Sequence, residues 1–279
     1  QALVLTIMEM VVNGVSTRKI SAITEELCGN SFSKSTVSAL CAALDPVVIA
    51  FRDRQLEKRY PFVMADALYT RVRENGRIRA KGFMVAVGIN EQGFREILGF
   101  SCADSETEAG WTAFFRALKD RGLSQVDMVI SDSHKGLVQA IKQCFQGATW
   151  QRCQTHFSRN MLDVCPKKLH PEMKAALKSL YEASDFETAV LLKDSILIRF
   201  QQEAPKATAL IEENFEDVIA VLSLPYALRR RLRTTNGIER LNEEIRRRER
   251  VIRIFPNEEA LSRLIGALLM EINDGWQSG

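Results

Sequence analysis

Residues 62–72 are FVMADALYTRV, an apolar and β-branched run that predicts a β-strand with one aspartate, Asp66, in its middle. Two further strands are expected close behind it. Apolar residues alternate over 83–89, and residues 95–101 follow a turn at 90–93. The three runs together predict an antiparallel meander.

Beyond the meander the pattern alternates between helix and strand. We expect a helix over 106–121, a strand over 128–131, a second helix over 135–145 and a last strand over 148–153. The first of these helices has four large apolar residues on one side: Trp111, Phe114, Phe115 and Leu118. The order βββαβαβ predicts an α/β fold, a ribonuclease-H-like mixed sheet with helices on its faces.

Helical segments precede and interrupt this core. Residues 1–50 predict a small domain of three short helices, with Ser16 capping the second and Ser33 the third. A helix-turn-helix fits this pattern, with residues 33–44 as the recognition helix and exposed polar side chains available for DNA: Ser35, Thr36 and Ser38. A generic helical bundle is the alternative. Residues 45–58 are expected to be a linker.

The rest of the chain divides into three predicted parts. Residues 51–153 are predicted to form the first part of the ribonuclease-H-like core, 154–224 an all-helical insertion, and 225–279 the second part of the core. The insertion has only helical periodicity, with Leu191 among its expected buried positions. The last part contains a long helix over 236–250 and a final apolar helix over 260–272.

The composition is that of a folded globular protein. The chain has 279 residues, of which 46% are hydrophobic and 26% charged. We expect no apolar run near the roughly 20 residues that a membrane span needs, and residues 1–12 lack signal-peptide features. The six scattered cysteines suggest reduced thiols. These features predict a cytoplasmic or chromosome-associated protein, and the apolar start predicts a further N-terminal portion.

Positive charge is concentrated in one stretch. The net charge of +3 is too small to indicate a nucleic-acid partner, but residues 225–253 contain ten arginines and four glutamates. Arginine suits phosphate oxygens, so this stretch favours a phosphate-facing surface, with Arg240, Arg246 and Arg247 as the preferred contacts. The alternative is a solvated helix with ion pairs such as Glu243 with Arg247.

Two aspartates are candidates for chemistry. Asp66 lies in an apolar strand, where a charge is costly to bury unless it is paired or binds a cation. Asp132 ends the strand over 128–131, and sites are commonly built at strand ends. Each aspartate alone could also be a helix cap or a turn former. Together with a glutamate they would supply the oxygen ligands that suit Mg²⁺.

The third carboxylate is expected in the arginine-rich helix. Asn236 can serve as its N-cap, which places Glu239 in the first turn. Glu243 and Glu244 are competing choices, and position alone favours Glu239 only weakly.

Four motifs in order resemble the Mutator-type transposases, a family that includes many bacterial insertion-sequence enzymes. They lie at 60–72, at 131–137 (SDSHKGL), at 150–157 (WQRCQTHF) and at 234–248. The resemblance implies a ribonuclease-H-like core with a catalytic and metal-binding triad of Asp66, Asp132 and Glu239. It also implies Mg²⁺, with Mn²⁺ as a substitute. The family commonly has glycine after the second aspartate, where this chain has Ser133.

Two further features of these motifs have an open role. Cys153 and His156 match the family's C-x-x-H motif, and zinc binding, ordinary packing and positioning of DNA or of the active site are all compatible with them. His134 either contacts phosphate or metal-bound water, or marks the start of a helix.

The resemblance implies an enzyme that binds terminal inverted repeats, cleaves double-stranded DNA at the element's ends and joins the freed end to target DNA. Bringing two ends together predicts a homodimer or a higher oligomer. The alternatives are a catalytically silent, domesticated transposase that only binds DNA, and a nuclease without strand transfer.

Overall fold

We describe residues 2–29 and 32–278 of a computed structural model; the side chains of Leu27 and Cys28 lie outside this description. The helices are α1 Ala2–Val12, α2 Thr17–Cys28, α3 Lys34–Cys41, α4 Asp45–Asp53, α5 Glu108–Asp120, α6 Lys135–Cys144, α7 Gln154–Val164, α8 His170–Tyr181, α9 Phe186–Phe200, α10 Pro205–Ile219, α11 Tyr226–Leu232, α12 Asn236–Ile252 and α13 Glu258–Ser278. The strands are β1 Phe62–Glu74, β2 Arg77–Ile89, β3 Arg95–Ala103, β4 Met128–Ser131 and β5 Thr149–Arg152.

The five strands form one mixed sheet in the order β3-β2-β1-β4-β5. β1 pairs with β2 and β2 with β3 in antiparallel fashion, while β4 runs parallel to both β1 and β5. The expected order βββαβαβ is therefore found. β1 is the central strand and joins the antiparallel half of the sheet to the parallel half.

Successive side chains of β1 point to opposite faces of the sheet. Val63 and Ala65 pack with α5 and α6, where Trp111 and Phe115 are fully buried. Met64 and Leu68 pack on the other face with residues of α12 and α13. By this alternation Asp66 belongs to the face that α12 covers.

The helices over 154–224 share a core of their own, which includes Phe157, Leu177, Phe200 and Ile211. The prediction that Leu191 is buried was wrong, since 68% of its surface is exposed. The buried residues of α9 are Ala189, Ile196 and Phe200, which recur at i, i+7 and i+11 and so define a different face of the helix.

The N-terminal helices begin where predicted, since Ser16 accepts a hydrogen bond from Lys19 N and Ser33 accepts one from Thr36 N. The predicted linker over 45–58 is wrong in its first half. Residues 45–53 form α4 because Pro46 suits a first helical turn and Val48 is buried in the core cluster that includes α13 residues.

The run Lys34–Asp53 has the length and composition of a helix that could cross a membrane, which corrects the expectation that no such run exists. These properties alone do not separate a membrane segment from a helix of a folded domain. In this structure the run is two α-helices joined by a 3-10 turn at Ala42–Leu44, with Val37, Cys41 and Val48 buried.

Candidate active site

Asp66 is the central carboxylate of the site. Its Oδ1 accepts a hydrogen bond from Ala67 N at 2.9 Å, and its Oδ2 accepts one from Asn242 Nδ2 at 2.8 Å. Burial, and next the negative charge of Asp132, raise the pKa of Asp66 from its ordinary 3.8 to about 7. The site therefore holds a carboxylate that is difficult to ionise without a cation.

Asp132 lies beside Asp66 because of the register between their strands. Met64 of β1 is paired with Ile130 of β4, and each aspartate follows two residues later, Asp66 within β1 and Asp132 directly after β4. Parallel neighbouring strands lie about 4.8 Å apart, so the two side chains meet on one face. Oδ1 of Asp132 accepts a hydrogen bond from His134 N at 3.0 Å. The structure thus brings the two predicted aspartates together.

Glu239 lies on α12 beside Cys153 and His156, and in the described part of the chain no group of three potential metal ligands joins it to Asp66 and Asp132. It lies in the first turn of that helix, three residues before Asn242, which bonds to Asp66. Residues three apart share a helix face. Oε1 of Glu239 is buried without a hydrogen-bond partner in the described structure, and the nearest cation is Arg159 Nη2 at 3.8 Å. Its ligand atoms lie within 4.8 Å of those of Cys153 and His156.

Cys153 and His156 connect the glutamate to the aspartates. The fully buried Sγ of Cys153 accepts hydrogen bonds from Thr235 N at 3.4 Å and Thr235 Oγ1 at 3.3 Å. Burial opposes ionisation of Cys153, but hydrogen bonds from His156 and Thr235 outweigh it and lower its pKa. Hydrogen bonding to Cys153, and also the charges of Asp66 and Asp132, raise the pKa of His156.

Cys165 and His170 are the next cysteine and histidine along the chain, and they do not add ligands to this group. His170 Nε2 lies 3.0 Å from the backbone oxygen of Cys165, and neither residue belongs to the group around Cys153. A structural zinc site wants four ligands. Cys153, His156 and Glu239 supply three, so the described residues do not complete such a site.

The start of α12 differs from the prediction. Asn236 is the first helical residue rather than the N-cap, and Thr235 occupies the cap position without a side-chain capping bond. The hydroxyl of Thr235 is used by Cys153 instead. Glu239 nevertheless falls in the first turn, as expected.

The predicted DNA contacts lie on exposed surfaces. Arg240 and Arg246 are exposed on α12, and the polar residues of α3, Ser35, Thr36 and Ser38, are exposed as well. Arg247 is exposed but pairs with Glu244 at 3.2 Å. The predicted pair of Glu243 with Arg247 is not found in the described structure, because Glu244 lies three residues before the arginine and is the residue in contact.

His134 occupies the N-cap position of α6 and makes no side-chain capping bond. Its Nδ1 lies 3.9 Å from Oε2 of Glu106, a carboxylate that sequence reasoning missed. The pKa of Glu106 is raised, mainly by burial and also by the charge of Asp132, although the charge of His134 acts to lower it. Gly136 permits this approach, since a Cβ there would lie 2.7 Å from Glu108 N.

Asn242 is the second residue that sequence reasoning missed. Its Nδ2 holds Asp66, and its Oδ1 is buried without a hydrogen-bond partner among the described residues. One signal was available in the sequence, because Asn242 lies on the same helix face as Glu239. Glu106, which precedes α5, had no comparable signal.

The donor set fits a divalent cation. Burial and the repulsion between two adjacent carboxylates raise the pKa of Asp66 to about 7, and a divalent cation would offset that repulsion. Two further oxygens, Oε1 of Glu239 and Oδ1 of Asn242, have no hydrogen-bond partner in the described structure. Oxygen donors of this kind are those that Mg²⁺ prefers. The arrangement defines an acidic centre able to bind metal, between Asp66 within β1 and Asp132 at the carboxyl end of β4.

The chain belongs to the Mutator family of transposases. The family model described as "Transposase, Mutator family" matches residues 1–279, which is the whole chain. The family expected from the four motifs is therefore confirmed.

Similar curated proteins are transposases of bacterial insertion sequences. The transposase for insertion sequence element IS256 in transposon Tn4001 of Staphylococcus aureus is 46% identical over 279 residues, covering 99% of this chain and 71% of that protein. The transposase of ISRM5 from Rhizobium meliloti is 43% identical, covering 99% and 69%. That of IS406 from Burkholderia multivorans is 38% identical, covering 100% and 72%.

Among solved structures, the catalytic core domain of HTLV-2 integrase in complex with magnesium matches 48% of this chain and 92% of its own. The sequence identity is 14% and the TM-score is 0.23, which is too low to indicate a common fold.

Proposed function

We propose that this chain is a DNA transposase of the DDE type, in which Asp66, Asp132 and Glu239 hold divalent metal. It would bind terminal inverted repeats, cleave DNA at the ends of an insertion sequence and join them to target DNA. The observation that carries the proposal is the placement of Asp66 beside Asp132, with the pKa of Asp66 raised to about 7. Relatives that are transposases of insertion sequences support the same assignment.

We further propose a ribonuclease-H-like fold for the part of the chain that carries the three carboxylates. The strand order β3-β2-β1-β4-β5, with two antiparallel and two parallel pairings, supports a ribonuclease-H-like core. We assign residues 51–153 and 225–279 to that core, 154–224 to a helical insertion and 1–50 to a DNA-binding domain of the helix-turn-helix type. The side-chain caps at Ser16 and Ser33 and the exposed polar face of α3 support the last assignment.

Mg²⁺, or Mn²⁺ in its place, would activate the attacking water or 3′-hydroxyl and stabilise the leaving oxygen. The protein's part is to hold the three carboxylates in position. Asn242 fixes the orientation of Asp66 by its hydrogen bond, and it keeps α12, and with it Glu239, against β1. Cys153 and the charges of both aspartates raise the pKa of His156, which favours its protonated form beside them.

The partners implied are double-stranded DNA, both as element end and as target, and further copies of this chain on DNA. Cleavage and joining of two ends requires that they be held together, which favours a homodimer or a higher oligomer. Such a protein would work in the cytoplasm on the nucleoid.

The test is incubation of the protein with labelled end DNA and Mg²⁺ or Mn²⁺, followed by separation of cut and joined products. We expect both products from the unmodified chain and neither from Asp66→Asn. Asp163→Asn, at an exposed aspartate of α7, is the matched control and should retain activity. Full activity of Asp66→Asn would contradict the assignment of the triad.

The same assay separates the alternatives. Binding of end DNA without cleavage under either metal would indicate a catalytically silent protein. Cleavage without joined products would indicate a nuclease that lacks strand transfer.

A further inference from the structure

A groove next to the acidic centre is lined by unpaired arginines. It lies between β1 and α12 and has a volume of about 490 Å³. The residues that line it are Tyr69, Thr70, Arg71, Ala80, Arg246, Glu249, Arg250 and Arg253. Four of them are arginines and one is a glutamate, so the groove is positively charged.

Its floor is an edge of β1 without a neighbouring strand. Among the described residues β4 pairs with β1 only over 62–64. The next backbone contacts on this edge come from Phe255, whose N–H donates to Arg71 O and whose oxygen accepts from Arg73 N, each at 2.8 Å. Between β4 and Phe255, residues 66–70 on this edge of β1 have no neighbouring strand among the described residues.

The arginines of the groove are available to an anion. Arg71, Arg246, Arg250 and Arg253 are all exposed, and in the described ranges none of their nitrogens lies within 4.0 Å of a carboxylate oxygen. The neighbouring arginines of the same helix differ from them, since Arg247 and Arg248 both pair with Glu244. The helix therefore separates its ion-paired arginines from those that face the groove.

Two details of the groove indicate a ligand rather than a solvated surface. Thr70 is fully buried on its floor, and its Oγ1 has no hydrogen-bond partner in the part of the chain described. Arg253 ends α12 with φ of 64°, a left-handed conformation that is strained for a residue with a side chain. An unsatisfied hydroxyl and a strained arginine are both expected where a ligand completes the site.

The geometry relates the groove to the acidic centre. Asn242 contacts Asp66, and Arg246 and Arg250 follow it by one and two helical turns, about 6 and 12 Å along the axis. Thr70 lies about 13 Å beyond Asp66 along β1. The groove thus begins about one helical turn from the residue that holds Asp66 and leads away from the centre over the length of two to four nucleotides, at about 3.4 Å for each step of a strand.

We propose that this groove holds the sugar-phosphate backbone of the DNA strand being cut, about two to four nucleotides from the reacting bond. Arg246, Arg250 and Arg253 are its phosphate contacts. This inference rests on the proposed function, because it takes a strand of the element's end to pass through the acidic centre. The short distance from Asn242, which contacts Asp66, to Arg246 of the groove favours this strand over target DNA.

The test measures affinity for a pre-cleaved end duplex whose 3′-hydroxyl fixes the register. Single neutral methylphosphonate linkages replace each of its first six phosphates, and binding is followed by fluorescence anisotropy. Arg250→Gln should bind the unmodified duplex about tenfold more weakly than the parent chain. A methylphosphonate two to four nucleotides from the end should weaken DNA binding by the parent chain by a similar factor. The same linkage should not weaken binding by Arg250→Gln any further.

Arg116→Gln is the matched control, since Arg116 is exposed on α5 at the opposite face of the sheet. It should bind as the parent does. Thr70→Val is a second variant that separates structure from function: removing an unpartnered buried hydroxyl should leave the melting temperature unchanged or higher, while DNA affinity falls.

The proposal would be overturned if the losses of affinity from Arg250→Gln and from the methylphosphonate added up at every position, or if Arg116→Gln lost as much affinity as Arg250→Gln. It would also be overturned if the two losses failed to add only when the neutral linkages were placed in a target duplex. If the parent chain neither binds nor joins ends, the proposed function itself fails. If it joins ends while Arg250→Gln and Arg253→Gln match the control, the groove alone is refuted.

Discussion

Replacing Asp66 with asparagine should stabilise the metal-free protein at alkaline pH. Asparagine is nearly isosteric with aspartate and carries no charge to bury beside Asp132. Its one side-chain oxygen can accept from Ala67 N, and its amide nitrogen, in the place of Oδ2, can donate to the partnerless Oδ1 of Asn242 once the amide of Asn242 turns over. The folded protein holds the proton of Asp66 up to a pKa of about 7, whereas the unfolded chain releases it near 3.8. Burying Asp66 therefore lowers the free energy of unfolding, and this loss of stability grows as the pH rises from 3.8 to about 7.

The size of the effect follows from the shift in pKa. At pH 8 the difference between the pKa values of 3.8 and about 7 corresponds to a loss of about 4 kcal/mol of folding stability. At pH 5 the loss is only about 1.5 kcal/mol. For a chain of this size, the larger value corresponds to a rise in melting temperature on the order of 8–12 °C. Asp66→Asn should therefore gain much more stability at pH 8 than at pH 5.

The assay is thermal unfolding monitored by circular dichroism at pH 5 and pH 8, with a chelator present. Asp163→Asn serves as the control because this aspartate is exposed on α7, and it should change the melting temperature little at either pH. An equal gain for Asp66→Asn at pH 5 and pH 8, or no gain at pH 8, would refute the reasoning from burial and charge.

Three further outcomes are expected. Mg²⁺ at a hundred times its dissociation constant should stabilise the parent chain by about 2.7 kcal/mol at pH 8, and Asp66→Asn hardly at all, as measured by thermal shift. Asn242→Ala should weaken Mg²⁺ binding by about tenfold or more in a calorimetric titration, because it frees the carboxylate that Asn242 orients; unchanged affinity would contradict that role. Gly266→Ala should lose about 1–3 kcal/mol in denaturant unfolding, since its Cβ would lie 2.8 Å from Phe100 Cζ, whereas Gly275→Ala, with nothing within 4 Å, should gain up to about 1 kcal/mol.

The sheet could be predicted because its strands carry strong local signals. The apolar runs that contain Asp66 and precede Asp132 are short, β-branched and bounded by polar residues, so their type and order follow from the sequence. The register that sets the two aspartates side by side depends on pairing between strands more than sixty residues apart, and no local pattern specifies it.

The wrong predictions concern residues whose local structure depends on contacts with distant parts of the chain. Residues 45–53 look like a connection, yet they form a helix because Val48 packs into the core near Gly266 of α13. Asn236 has the sequence signature of a cap, but Thr235 takes that position while its hydroxyl bonds to Cys153. Asn242 and Glu106 became visible as parts of the site only when the elements that carry them were placed next to the aspartates.

The buried Arg248 of α12 fastens the N-terminal helices to the helix that carries Glu239. Its Nε donates to the carbonyl oxygen of Val12 at the end of α1 at 3.1 Å, and Gly14 lies against its side chain, where an added Cβ would be 3.6 Å from Cγ. Arg248 and Glu239 lie on the same helix, so the position of α1 is coupled through this hydrogen bond to the helix that carries the third carboxylate of the proposed triad.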